Sequence, residues 1–145
     1  SITRAQAVPG GGDGTLAVYV AQSAATATGP QVAAVQAYID TVRPVTDSPT
    51  VTAATAVTVN VTATIYVLAA SDSTANRALA TDAMSAYING LDLGDATVDV
   101  VKLGAAIYAA AGIRDVDVVI PAADVSISAG QVAVVGTYTL TWTTV

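Results

Sequence analysis

The alternation of apolar and polar residues is clearest in one central segment. From Val57 to Val67 every second residue is apolar, and the residues between are threonine, asparagine or tyrosine. Such alternation is typical of a long strand with one buried face, because successive side chains point to opposite sides of a sheet. Residues 50–56 either extend this strand or form a separate, bent strand before it.

Three further segments have the pattern of strands: residues 15–21, 113–120 and 132–143. We expect the last two to pair antiparallel with each other. A right-handed crossover through the first helix would make strands 15–21 and 57–67 parallel neighbours.

Apolar residues recur at three- and four-residue steps in three other segments, which predicts three amphipathic helices. The first begins at Pro30 and ends before Pro44, since proline suits a first helical turn and stops a helix further on. The second is capped by Ser71 or Asp72 and the third by Asp99, whose side-chain oxygens can accept the free backbone N–H groups.

These elements predict an α/β chain in the broad sense, of α+β type, with a mixed four- to five-stranded sheet and three helices mainly on one face. We expect residues 1–14 to form a flexible arm and loop, because the run from Pro9 to Gly14 is rich in glycine. A strand and not a helix follows this run, so a phosphate-binding loop is disfavoured. We expect residues 15–145 to form a single domain of ordinary size.

Composition excludes several classes of function. The 145 residues include no histidine and no cysteine, which removes the commonest general base and the thiolate ligands of metals. The net charge is −6 and the five basic residues are scattered, so we expect no nucleic acid and no membrane partner. We therefore expect no enzyme, no catalytic residue, no cofactor and no metal.

Two weak catalytic candidates remain. Asp115 and Asp117 share one face of a predicted strand and could act as an acid–base pair, although a solvated strand face explains them better. Lys102, the only lysine, could activate a serine, but no motif supports this hydrolase hypothesis.

Asp92, Asp95 and Asp99 could offer oxygens to calcium. Their spacing differs from the alternate-residue ligands of a known calcium loop, and the bidentate glutamate is missing. Helix caps and turns explain these aspartates better.

The polar faces of the strands are the remaining feature. They are small, β-branched and uncharged, which suits either plain solvent contact or a docking surface, since charges are depleted at interface cores. The residues of this possible interface are Thr58, Asn60, Thr62, Thr64, Tyr66, Thr139, Thr141 and Thr143. An alternative is a sugar-stacking surface made by Tyr66 and Trp142, as in a glycan- or receptor-binding module.

Five segments in fixed order carry a resemblance: LAVYVA, VQAYIDTVRPVTD, VTVNVTATIYV, LGAAIYAAAGIRDVDVVIPAADV and GQVAVVGTYTLTW. Together they cover about residues 15–143 and resemble the C-terminal half of the baseplate J-like family. That family forms the baseplate wedges of contractile phage tails and related injection machines.

The resemblance implies a structural wedge component that assembles with copies of itself and with other wedge and hub proteins. It implies a place in the virion, at the tail baseplate, after assembly in the host cytoplasm, and a part in the rearrangement that triggers sheath contraction. It brings no catalytic residues. Family members also carry an N-terminal portion that contributes to wedge assembly, so we expect the domain alone to be a monomer or weak dimer.

Overall fold

The structure is a computed structural model that describes residues 1–10, 15–94, 96–110 and 112–145. The elements in chain order are β1 (Arg4–Pro9), β2 (Thr15–Ala21), α1 (Gly29–Val42), β3 (Ser48–Ala53), β4 (Thr55–Val67), a 3₁₀ helix (Ala69–Ser71), α2 (Thr74–Asn89), β5 (Ala96–Val98), α3 (Val100–Tyr108), β6 (Ile113–Ile120), β7 (Val125–Ile127) and β8 (Gln131–Thr144).

The described strands form three sheets, ordered β1-β2-β3, β6-β4-β8 and β5-β7. The α+β class with three helices is confirmed. The prediction of one sheet with four or five strands is wrong in this detail. Local alternation identifies a strand but not its neighbours, which are set by contacts distant in sequence.

Contacts divide the chain into two compact units, which are described separately below. Unit 1 comprises Ser1–Val57, Asp92–Ala96 and Ile127–Val132. Unit 2 comprises Thr58–Leu91, Thr97–Ser126 and Ala133–Val145. A single domain over residues 15–145 stays a prediction.

Unit 1 is built on a strand–helix–strand motif. Strand β2 pairs parallel with β3, and α1 connects the two. The apolar stripe of α1, including Val35 and Ile39, packs on a small core around Val20 and Val51. The expected parallel partner of β2 was the long strand β4, but the residues before β4 form the separate strand β3 and take this place.

Strand β1 corrects the prediction of a flexible arm over residues 1–14. Residues Arg4 to Pro9 pair antiparallel with β2, from Arg4 opposite Ala21 to Pro9 opposite Leu16. Its alanines Ala5 and Ala7 are exposed while Arg4 and Gln6 are half-buried, so a non-local ladder and not an apolar face of its own makes it a strand. The predicted glycine loop at residues 11–14 lies outside the described residues.

Unit 2 has β4 at the centre of its three-stranded sheet, between β6 and β8. The alternate β4 residues from Val59 to Val67 are almost completely buried. Buried side chains of α2 and α3 complete this core, so these two helices cover the valine face of the sheet. They are Ala80, Met84, Ile88, Leu103 and Ile107.

The two final long strands do not pair with each other, because β4 lies between β6 and β8. β6 runs antiparallel to β4. On the other side, the Thr137 N–H donates to Asn60 Oδ1 at 3.0 Å, and the Val145 N–H donates to Val67 O at 3.0 Å. The later residue of β8 therefore bonds to the later residue of β4, which means that β4 and β8 run parallel. The expected antiparallel C-terminal pair is therefore corrected.

Helix caps fix where α2 and α3 begin. Asp99 Oδ1 accepts the N–H groups of Val101 and Lys102 at 2.8 and 3.0 Å, which confirms the predicted cap of α3. The cap of α2 is Ser73, whose Oγ accepts the Asn76 N–H at 3.2 Å, and not the predicted Ser71 or Asp72.

Candidate interaction surface

The face of the β6-β4-β8 sheet opposite the helices carries the predicted interface residues of β4. Thr58 and Asn60 are exposed, and Thr62, Thr64 and Tyr66 are half-buried, while the residues between are buried from Val59 onwards. The strand therefore has the one covered and one polar face that its alternation predicted.

Strand β8 adds its threonines to the same face. In a parallel pair of strands, a backbone carbonyl accepts the N–H of the residue that follows its directly opposite partner. The Val145 N–H donates to Val67 O, so the residue directly beside Val67 is Thr144. Counting back along both strands gives three adjacent pairs on one face. They are Thr62 with Thr139, Thr64 with Thr141, and Tyr66 with Thr143.

The structure thus brings together all eight predicted interface residues. We call this surface the threonine face. Its members are Thr58, Asn60, Thr62, Thr64, Tyr66, Thr139, Thr141 and Thr143.

Strand β6 gives the threonine face an acidic margin that sequence reasoning missed. Asp117 lies opposite Thr64 and Asp115 lies opposite Tyr66, and both aspartates are exposed. The sequence shows that these two carboxylates share a face, but their register against β4 depends on a non-local ladder. One edge of the face is therefore negative, and its centre is uncharged.

One member of the threonine face has an internal role. Asn60 Oδ1 accepts the N–H of Thr137, and a side chain at Gly136 would collide with the Asn60 side chain. Asn60 therefore ties β4 to β8 at a point where only glycine lets the strands approach so closely.

Trp142 lies on the other side of the sheet. The register places it beside the buried Ile65, and its ring is half-buried with the Arg77 guanidinium of α2 5.2 Å from the ring centroid. Because Tyr66 and Trp142 point to opposite faces, the hypothesis of a sugar-stacking surface made by these two rings is wrong.

Arg77 also forms the shortest ion pair among the described residues of unit 2. Its Nε and Nη2 donate to Asp72 Oδ1 and Oδ2 at 2.7 and 2.8 Å. These hydrogen bonds hold the pKa of Asp72 below its ordinary value and raise the pKa of Arg77. The paired side chains link the start of α2 to the end of β8.

The calcium candidates are separated by role. Asp99 caps α3, Asp92 belongs to unit 1, and Asp95 lies outside the described residues. Among the residues that the structure describes, no group of three or more acidic side chains could hold a metal ion. None of the described helices is long and apolar enough to cross a membrane.

A shallow depression of about 430 Å³ lies between α3 and β6. Its lining is mainly apolar, with Asp115 and the tyrosine Tyr108 as polar members and no serine or lysine. The predicted partner of a Ser–Lys pair, Lys102, is exposed and lies 3.9 Å from Asp99 Oδ2. Because the lining of this depression contains no serine, the depression gives no support to the hydrolase hypothesis.

Comparison with protein families gives one finding. The family model of the Baseplate J-like protein C-terminal domain matches residues 59–141, more than half of the chain. No curated protein matches the chain. The matched segment begins in β4 and ends in β8, so it spans the sheet that carries the threonine face.

This match confirms the resemblance inferred from the sequence and assigns a structural role in the phage tail baseplate, in association with other baseplate proteins. The chain belongs to the Baseplate J-like protein C-terminal domain family.

Proposed function

We propose that this chain is a structural component of a contractile-tail baseplate wedge, assembling with itself and with other wedge and hub proteins. The observation that carries the proposal is the threonine face, an uncharged surface on β4 and β8, six of whose eight residues lie within the family-matched segment 59–141. In this role the threonine face is the contact surface between neighbouring subunits.

Its chemistry suits protein contact. Charged residues are depleted at interface cores because their water must be removed, and the centre of this face carries none. Threonine is stiff at its first side-chain torsion, so ordering it against a partner costs little entropy. Asp115 and Asp117 at the margin would then fix the orientation of a partner, as rim charges do.

The size of the face favours assembly through several weak contacts. At about 3.3 Å per residue and about 4.8 Å per strand, the two strands of this face cover roughly 300 Å². A stable pairwise interface buries about 800 Å² on each partner. The face alone therefore supports only weak pairing, and additional contacts in a ring would raise the effective affinity.

The proposed role is not enzymatic. The sequence has no histidine or cysteine, and its only lysine lies near the cap Asp99. Binding and positioning need none of these groups, whereas acid–base or nucleophilic catalysis usually does.

Assembly in the producing host tests the proposal. Thr141→Arg places a charge at the centre of the threonine face, where burial of an unpaired charge strongly weakens association. We expect the fraction of tails with complete baseplates in electron micrographs to fall by at least about tenfold. Purified particles of the parent strain should contain the chain by mass spectrometry.

Ala78→Arg adds the same charge to the exposed surface of α2 and serves as the matched control. Baseplates should form normally with this variant, and both variants should melt at the temperature of the parent. Equal assembly of the two variants, or particles without the chain, would overturn the proposal.

A further inference from the structure

Among the described strands, β6 is an edge strand of its sheet and has β4 as its one neighbour. Its ladder with β4 is regular over residues 115–118, between two register shifts. The bulged residue Arg114 precedes this stretch, and Val119 is skipped after it. An edge strand presents backbone donors and acceptors to which another extended segment can pair.

The two sides of this stretch differ in chemistry. Towards α3, Val116 and Val118 face the shallow depression, whose helical wall includes Val101 and Tyr108. These two helical side chains are 79% and 52% exposed, which is unusual for large apolar groups in one concave place. We call this depression, together with the edge of β6, the edge groove.

On the opposite side of β6, Asp115 and Asp117 are exposed and alternate with the two valines, and Asp115 also borders the depression. Asp115 Oδ1 accepts the neutral N–H of Val116 at 2.9 Å. A cationic side chain forms a stronger hydrogen bond to a carboxylate than a neutral amide does, so an incoming cation can displace this contact.

We propose that the edge groove binds an extended polypeptide segment in which apolar and basic residues alternate. Such a segment adds a strand to β6, places its apolar side chains against Val101 and Tyr108, and places its lysines or arginines beside Asp115 and Asp117. Main-chain pairing supplies affinity and the alternation supplies specificity, as in other cases of strand addition. This binding would supply the chemistry of one partner in the proposed assembly, and the inference therefore rests on the proposed function.

A second copy of β6 is a poor occupant. Pairing β6 antiparallel with itself about Val116 places Asp115 opposite Asp117 of the other copy. Like charges directly opposite each other in a ladder are destabilising. The acidic pair therefore disfavours self-pairing and favours a basic segment.

Peptide binding to the whole 145-residue chain tests the inference. The probe is a fluorescent, end-blocked peptide KVKVKVK, and the comparison peptides are EVEVEVE and KKKKVVV. The last has the composition and charge of the probe without its alternation. We expect only KVKVKVK to bind measurably by fluorescence anisotropy, and to shift the amide resonances of Val116 and Val118.

Two variants locate the site. The double variant Asp115→Asn with Asp117→Asn should weaken binding of KVKVKVK at least about fivefold at low salt. Val101→Ser should also weaken it. The matched controls Asp82→Asn and Leu79→Ser change exposed residues of α2 and should leave binding unchanged.

Equal binding of KVKVKVK and KKKKVVV would overturn the inference, because it would show attraction by charge alone. Dimerisation of the chain that competes with the peptide would also overturn it, in favour of a second copy. If the peptide does not bind but particles still contain the chain, only this inference is removed. Binding of the peptide by a chain absent from particles removes only the proposed function.

Discussion

The guanidinium of Arg77 lies over the ring of Trp142, with 5.2 Å between Cζ and the ring centroid. The same guanidinium forms two hydrogen bonds with Asp72. One arginine therefore connects Asp72, two residues before α2, with the C-terminal end of β8 on the helix side of the sheet. This arrangement uses the single tryptophan for packing, and it leaves the threonine face with Tyr66 as its one aromatic residue.

Trp142 should contribute measurably to stability. Trp142→Ala removes a half-buried ring and its cation–π contact, and we expect the free energy of unfolding to fall by about 2 kcal/mol. Tyr138→Ala, at a 48% exposed position of the same strand, should cost less than about 1 kcal/mol. Urea unfolding followed by circular dichroism measures both values, and equal losses would contradict the packing role of Trp142.

The pair of Asp72 and Arg77 predicts a pH-dependent stability. The hydrogen bonds from Arg77 lower the pKa of Asp72 from 3.8, so the folded state binds this proton less readily than the unfolded state. The stabilisation is fully present above pH 3.8 and is lost as the pH falls through the lowered folded pKa.

Asp72→Asn should therefore reduce stability at pH 7 and have little effect in strong acid. Urea unfolding of the parent and the variant at several pH values measures this difference, with Asp82→Asn as the control for loss of an exposed carboxylate. A difference of constant size down to the acid limit would show that Asp72 acts through packing and not through its charge.

Features that follow from the local sequence pattern, such as the long strand β4 and the cap of α3, were predicted correctly. The strand expected from Val57 to Val67 occupies Thr55–Val67, and its valine face is the buried one. The cap Asp99 was also predicted, because an aspartate before an apolar helical stripe satisfies free N–H groups within two or three residues.

Features that depend on pairing between distant residues were not predictable in this way. The ladder of β1 with β2 and the position of β4 between β6 and β8 are set by tertiary contacts. The acidic margin of the threonine face follows from the same register. For Trp142 the sequence did contain a signal, since it alternates with Thr141 and Thr143 and must point away from them.

The two faces of β4 should differ sharply in their tolerance to truncation. Ile65 is 0% exposed, so Ile65→Ala leaves a cavity and should cost about 3 to 5 kcal/mol. Thr64→Ala, one residue away on the half-buried threonine face, should cost less than about 1 kcal/mol. Thermal and urea unfolding compare the two, and a large loss from Thr64→Ala would indicate that the threonine face is already packed within the isolated chain.

The close approach of β4 and β8 at Gly136 predicts a coupled pair of substitutions. A Cβ at this position would collide with the side chains of Asn60 and Thr58 and lie 3.2 Å from Val59 O, so Gly136→Ala should cost about 1 to 3 kcal/mol. Asn60→Gly removes the colliding side chain together with its hydrogen bond to the Thr137 N–H, and it is also destabilising alone.

In the double variant the collision with Asn60 is absent, so the combined loss should be smaller than the sum of the two single losses by about 1 kcal/mol. A double-mutant cycle from urea unfolding measures this coupling, with Gly29→Ala as a control glycine whose Cβ would meet nothing within 4 Å. Strict additivity of the two losses would mean that the contacts with Thr58 and Val59, and not the Asn60 side chain, fix glycine at residue 136.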